Sequence, residues 1–140
     1  NEFLRLRVAD VDGDHRNDIV VHEPPTVNVF TDRIYFAAGR GDGTFSEGID
    51  PPVFARLHDF EVADVYRDGQ LDVIGLVNSP GGLVVLRGNG IGSHWESEWH
   101  PAGEDTVGAF GDFDADGLLD VAVSSRLDGT VTTFLNVAHD

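Results

Sequence analysis

Asp112-Phe113-Asp114-Ala115-Asp116-Gly117-Leu118-Leu119-Asp120 places four carboxylates within one short loop between two apolar runs. Related stretches are Asp10-Val11-Asp12-Gly13-Asp14-His15-Arg16-Asn17-Asp18 and Asp64-Val65-Tyr66-Arg67-Asp68-Gly69-Gln70-Leu71-Asp72. The first aspartates lie 54 and then 48 residues apart, the spacing of a repeat architecture. Carboxylates at relative positions 1, 3, 5 and 9 converge when the backbone coils tightly, and they are the hard oxygen ligands that calcium prefers. The three loops therefore predict a repeated fold that binds calcium, and they indicate no reaction.

Each acidic loop is flanked by short apolar runs bounded by turn residues, which is the pattern of buried strands. The runs before the loops are 3–8, 60–63 and 107–110, and the runs after them are 19–21, 73–77 and 121–123. A further run in each copy lies at 34–38, 83–86 and 131–135. Glycine-rich segments at 39–43 and 88–92 predict tight hairpins, because glycine adopts positive φ at no steric cost. Fourth strands are predicted near 44–48 and 94–99.

Four antiparallel strands in each repeat describe a blade of a β-propeller. We therefore predict an all-β chain that forms one propeller segment over residues 1–140, with blades at about 1–54, 55–104 and 105–140. The third blade is predicted to be incomplete, because no fourth strand comes after its third. Since propellers use about four to eight blades, further blades are expected from the same longer chain or from homo-oligomer partners.

The repeated motif resembles a known family. Asp-x-Asp-x-Asp-Gly-x-x-Asp between strands, followed by a turn such as Gly88-Asn89-Gly90-Ile91-Gly92, is similar to the FG-GAP or VCBS repeats, the integrin-α-like calcium-binding blades. Such repeats occur in integrin α-subunit propellers, in propeller lectins, and beside catalytic domains of secreted enzymes. The resemblance implies the fold and the metal, but it leaves the function open because the same blades serve unrelated roles.

The predicted calcium ligands are carboxylates at positions 1, 3, 5 and 9 and the backbone carbonyl at position 7 of each loop. They are Asp10, Asp12, Asp14, Asp18 and the Arg16 carbonyl; Asp64, Asp68, Asp72 and the Gln70 carbonyl; and Asp112, Asp114, Asp116, Asp120 and the Leu118 carbonyl. His15 stands where the family prefers glycine, and Tyr66 replaces the carboxylate at position 3. Two calcium sites are therefore predicted, while the second loop is left open between a metal site and none. The alternative for every loop is a metal-free turn whose carboxylates cap backbone N–H groups.

An EF-hand is excluded by the residues on the C-terminal side of each loop. That motif needs a glutamate at position 12 and flanking helices. Position 12 falls on Val21, Gly75 and Val123, which lie inside predicted strands.

Composition limits the partners. A formal net charge of −16 with nine Lys and Arg argues against nucleic acid, which needs a basic face. The absence of cysteine excludes disulfides. No apolar run approaches the roughly 20 residues of a membrane-spanning helix. Because free calcium is abundant outside the cell, the predicted sites favour a secreted or extracellular protein.

The segment 94–100 is the densest cluster of polar and aromatic residues. Trp95, Trp99 and His100 are the predicted ligand-binding residues, because tryptophan stacks on sugars. Strand alternation places both tryptophans on one face and His100 on the other, so packing between blades is an alternative role for the tryptophans. No catalytic motif such as Gly-x-Ser-x-Gly or His-Glu-x-x-His occurs. We therefore predict a non-catalytic module that binds a glycan or a protein. The alternative is the propeller portion of a secreted carbohydrate-active enzyme, of lyase or dehydratase type, whose chemistry lies elsewhere.

Overall fold

The structure, a computed structural model, describes residues 4–24, 32–46, 57–91 and 96–137. These residues form ten β-strands and no helix. The strands are β1 (Arg5–Ala9), β2 (Asp18–Glu23), β3 (Arg33–Ala37), β4 (Leu57–Ala63), β5 (Asp72–Asn78), β6 (Gly81–Arg87), β7 (Glu96–Pro101), β8 (Thr106–Gly111), β9 (Asp120–Ser125) and β10 (Thr130–Phe134). Within the described ranges no helix could therefore cross a membrane.

The strands form three antiparallel sheets in the orders β1-β2-β3, β4-β5-β6-β7 and β8-β9-β10. This arrangement confirms the predicted all-β fold and is consistent with propeller blades. Each acidic loop joins the first two strands of a sheet. The base of each loop is a cross-strand pair that includes the ninth residue: Ala9 with Asp18, Ala63 with Asp72, and Gly111 with Asp120.

The fourth strand differs among the three sheets. The second sheet has one, because β7 pairs with β6 along its length. In the first sheet a bridge joins Gly39 to Phe45 at the predicted hairpin, and residues 47–48 of the predicted fourth strand lie outside the described residues. The third sheet has three strands among the residues described.

Two apolar clusters hold the sheets together. Val20, Ile34 and Phe36 of the first sheet pack on one face of the second sheet, where Phe60 and residues of β5 and β6 are buried. Leu76, Leu83 and Val85 on the opposite face of the second sheet pack against Val121 and Val123 of the third. Strands β5 and β6 are therefore apolar and buried along nearly their whole length.

Polar contacts also join the sheets. Asp32 Oδ2 lies 3.0 Å from His22 Nε2 in the first sheet and accepts a hydrogen bond from the backbone N–H of Leu57 in the second. On the other side, Thr106 Oγ1 of β8 donates to the carbonyl of Val77 at 2.7 Å. Because these polar groups are buried, separating the sheets would leave them without hydrogen-bond partners, so the contacts stabilise the arrangement of the sheets.

Candidate metal loops and an adjoining cleft

The three acidic loops share one backbone conformation. The residues at positions 4 and 6 have positive φ in every loop, so each loop coils twice into the left-handed region. The six residues are Gly13 and His15, Arg67 and Gly69, and Ala115 and Gly117. His15 thus adopts the conformation for which the family uses glycine, with φ 66°, while glycine has moved to position 4. The tight coil predicted from the sequence is present in all three copies.

The aspartate at position 9 connects the two ends of each loop through hydrogen bonds to the backbone. Asp18, Asp72 and Asp120 are fully buried. Each accepts the N–H of the residue at position 2, at 2.7, 2.9 and 2.8 Å respectively. Each also accepts an N–H just after the third strand: Gly39 at 2.8 Å, Gly88 at 2.9 Å and Asn136 at 2.8 Å. These charge-assisted bonds fix the loop to its own sheet.

The first and third loops bring carboxylates together. Oxygens of Asp10, Asp12 and Asp18 all lie within 4.8 Å of one another, and the same holds for Asp112, Asp114 and Asp120. The fifth-position carboxylates, Asp14 and Asp116, do not belong to these groups; their Oδ1 atoms accept the N–H two residues on, both at 2.8 Å. Metal coordination by the position 5 carboxylates and by the Arg16 and Leu118 carbonyls stays a prediction.

The donor set of these two groups fits a hard divalent cation. Asp10 Oδ1 is buried and has no hydrogen-bond partner within the described parts of the chain. Desolvation, reinforced by the carboxylates of Asp18, Asp14 and Asp10, raises the pKa of Asp12. Desolvation and the neighbouring carboxylates likewise raise the pKa of Asp114. A bound divalent cation would relieve this repulsion, because oxygen ligands of negative charge are those that calcium takes.

The second loop is different. Among the described residues it brings no three carboxylates within that distance. Asp64 still accepts the N–H groups of Asp68 and Gly69, at 3.1 and 2.9 Å. However, Arg87 Nη2 lies 2.9 Å from Asp68 Oδ2. The Arg87 guanidinium also lies over the Tyr66 ring, 4.6 Å from its centroid.

A cleft of about 250 Å³ opens beside this loop, between the second and third sheets. Its walls are mostly apolar and include a few polar side chains. The lining residues are Val65, Tyr66, Ile74, Leu83, Val85, Glu98, His100, Leu119, Val121, Phe134, Leu135 and Asn136. Tyr66 Oη donates to Glu98 Oε2 at 2.7 Å, His100 Nε2 lies 3.5 Å from Glu98 Oε1, and the His100 ring contacts Phe134 at 5.9 Å between centroids. Tyr66 and Glu98 could not be predicted as cleft residues, since no short-range sequence pattern links residues so far apart.

Two of the predicted ligand-binding residues, Trp99 and His100, lie on opposite faces of the second sheet. Trp99 pairs with Val84, which belongs to the face that packs on the first sheet, whereas His100 pairs with Leu83 on the face that packs on the third. Trp99 covers Gly82 and is 39% exposed. His100 lines the cleft. Trp95 lies outside the described residues.

The fold and loops define a class: stacked antiparallel sheets in which an acidic, left-handed loop joins the first two strands. Residues 64–123 match the family model of the FG-GAP-like repeat. This part of the chain therefore carries an FG-GAP-like repeat, and the predicted resemblance is confirmed. The match begins at the second acidic loop and includes the third, together with strands β5 to β8. No curated protein matches the chain.

Proposed function

We propose that the chain is a calcium-stabilised β-propeller segment that acts as a recognition module, binds a glycan or a protein, and is non-catalytic by itself. The observation that supports recognition is the cleft between the second and third sheets. Its apolar wall suits the apolar face of a sugar ring or of a protein side chain. Glu98 and His100 line the same cleft, and their polar atoms would orient such a ligand through hydrogen bonds.

Calcium in this proposal is structural. Asp10, Asp12 and Asp18 would hold one ion, and Asp112, Asp114 and Asp120 another. When bound, the ions supply positive charge that offsets the crowded carboxylates, and binding to the folded form alone stabilises it by mass action. Such sites fill most readily where free calcium is abundant, so we place the protein outside the cell.

Further blades are the proposed partners of the two end sheets. Leu6 of the first sheet is 56% exposed, whereas Phe60, at the same position of the next repeat, is 0% exposed because the first sheet covers it. At position 2 of the loops, Val11 is 3% exposed and Phe113 is 51% exposed. Exposed apolar residues at positions that are buried elsewhere in the repeat indicate sheets that another blade covers. That blade belongs to the same longer chain or to a homo-oligomer partner.

Thermal unfolding with calcium chloride and then with chelator tests the structural metal. Calcium should raise the melting temperature of the wild-type chain. In chelator Asp12→Asn should be neutral or slightly stabilising, because it removes a repelled carboxylate, and in calcium it should lose part of the gain. Equal melting temperatures with calcium and with chelator would contradict the metal assignment.

Binding to a glycan array and to candidate protein ligands tests recognition, with two neighbouring variants as a matched pair. His100→Ala removes a cleft residue, while Trp99→Ala truncates the adjacent residue on the opposite face. The proposal expects loss of binding for His100→Ala and retention for Trp99→Ala. The reverse result would move the ligand to the opposite face, and absence of binding by the assembled propeller would contradict a recognition role.

A further inference from the structure

The second acidic loop is contacted by a positively charged side chain, that of Arg87 at the end of β6. Arg87 Nη2 lies 2.9 Å from Asp68 Oδ2, the carboxylate at position 5 of the loop. This ion pair lowers the pKa of Asp68. The guanidinium also covers the ring of Tyr66 at position 3. Arg87 therefore contacts both Tyr66, which replaces a carboxylate of the other loops, and Asp68, the carboxylate at position 5.

The other two sheets provide an internal comparison. Arg87 directly precedes Gly88, whose N–H donates to Asp72. In the first and third sheets the matching donors are Gly39 and Asn136, and the residues before them are Ala38 and Leu135. Thus an arginine stands at this position only in the repeat that lacks the third-position carboxylate. Together the two changes make the surroundings of the second loop more positive by two charges, which is the charge that a divalent ion would supply.

We propose that the second loop has exchanged its metal ion for the guanidinium of Arg87, so that the family's calcium site does not exist there and the chain binds ions at the first and third loops only. The residues present do not fit a third ion, because the carboxylate at position 3 is absent and that at position 5 is paired. The coil itself is kept by hydrogen bonds within the protein: Asp64 accepts two N–H groups, and Asp72 accepts two more.

The exchange also builds the cleft. At position 3 a carboxylate would face the ion, but Tyr66 instead lies along the cleft and donates to Glu98 at 2.7 Å. The proposed ligand site therefore includes a side chain that became available when the loop ceased to bind metal. Calcium should consequently affect the cleft through the third loop, whose Leu119 belongs to the lining, and not through the second loop.

Isothermal titration of the chelator-stripped chain with calcium chloride counts the ions. Asp68→Asn should leave the number of bound ions unchanged, while Asp12→Asn, at the first loop, should lower it by one. Tyr66→Asp/Arg87→Met restores the third-position carboxylate and removes the guanidinium, so it should bind one ion more than the wild type. The matched control Tyr66→Phe/Arg87→Met removes the same guanidinium without adding a carboxylate, and it should bind no additional ion.

Loss of an ion in Asp68→Asn would overturn the proposal, as would the absence of a gain in a folded Tyr66→Asp/Arg87→Met variant. Circular dichroism establishes that each variant is folded. If Asp12→Asn leaves the number of bound ions unchanged, the calcium site proposed at the first loop is wrong. The proposal for the second loop is tested independently by Asp68→Asn and by the two double variants.

Discussion

Arg7 and Glu61 occupy the same position in successive repeats and form an ion pair at 3.0 Å between the first and second sheets. Arg5 and Asp59, also 54 residues apart, form a second pair at 3.3 Å. The charge is therefore inverted between equivalent positions of neighbouring repeats. The corresponding residues of the third sheet are uncharged: they are Val107 and Ala109.

Reversing this pair should show coupling between the first two sheets. Arg7→Glu and Glu61→Arg should each lower the free energy of unfolding by about 1 kcal/mol, because each places like charges together at a partly buried site. The double variant should recover part of the loss. Urea unfolding of the four proteins measures the coupling energy. Strictly additive effects would mean that the two side chains do not interact.

Asp72→Asn should destabilise the chain even without calcium. Asp72 is fully buried and accepts two backbone N–H groups, and an amide in its place directs an NH₂ group at one of those donors. The expected loss is about 2 kcal/mol, the range for hydrogen bonds to a charged group. Chemical unfolding in chelator measures it, with Asp12→Asn as the control that should cost little. A harmless Asp72→Asn would show that the carboxylate is not needed to close the loop.

Gly81→Ala should disturb the junction of the second and third sheets. A Cβ at Gly81 would lie 1.8 Å from the carbonyl oxygen of Gly103 and 2.8 Å from Thr106 Cγ2, so the backbone must move. We expect a loss of about 3 kcal/mol in the free energy of unfolding. Gly13→Asn is the control: a Cβ there meets nothing within 4 Å, and asparagine tolerates the positive φ. Comparable losses in the two variants would contradict the steric explanation.

Tyr66 should titrate far above an ordinary tyrosine. Desolvation, together with its hydrogen bond to Glu98, raises the pKa of Tyr66 to about 12. The folded-state pKa of Tyr66 lies above the unfolded value. Its contribution to the free energy of unfolding is therefore fully present below about pH 10 and is lost as the pH rises through about 12. Phenolate absorbance in a Tyr35→Phe background follows Tyr66 alone, since the chain has two tyrosines.

Replacing the acceptor separates the two causes. In Glu98→Gln the pKa of Tyr66 should fall, but it should stay above the ordinary value because desolvation, the larger cause, remains. An unchanged pKa of Tyr66 in Glu98→Gln would contradict the hydrogen bond to Glu98, and a wild-type Tyr66 that ionises near pH 10 would contradict its desolvation as well.

Much of the fold could be predicted from the sequence because its determinants are local. Apolar runs that alternate with acidic turns predict strands such as Asp72–Asn78. The spacing of the aspartates within each turn indicates where carboxylates can come close together. The features that could not be predicted depend on contacts between distant segments. No local pattern pairs His22 with Asp32, Arg87 with Asp68, or Tyr66 with Glu98. The left-handed residue at position 4 was also missed, because arginine and alanine are unusual in that conformation.

The buried aspartates at position 9 make the conformation of each loop independent of whether a metal ion is bound there. Since Asp18, Asp72 and Asp120 satisfy the loop backbone themselves, a substitution at position 3 can remove or create an ion site while the turn survives. An array of such repeats can therefore diversify one member at a time. One loop can replace a carboxylate by a side chain that lines a cleft, while its neighbours keep the carboxylate groups that could hold a metal ion.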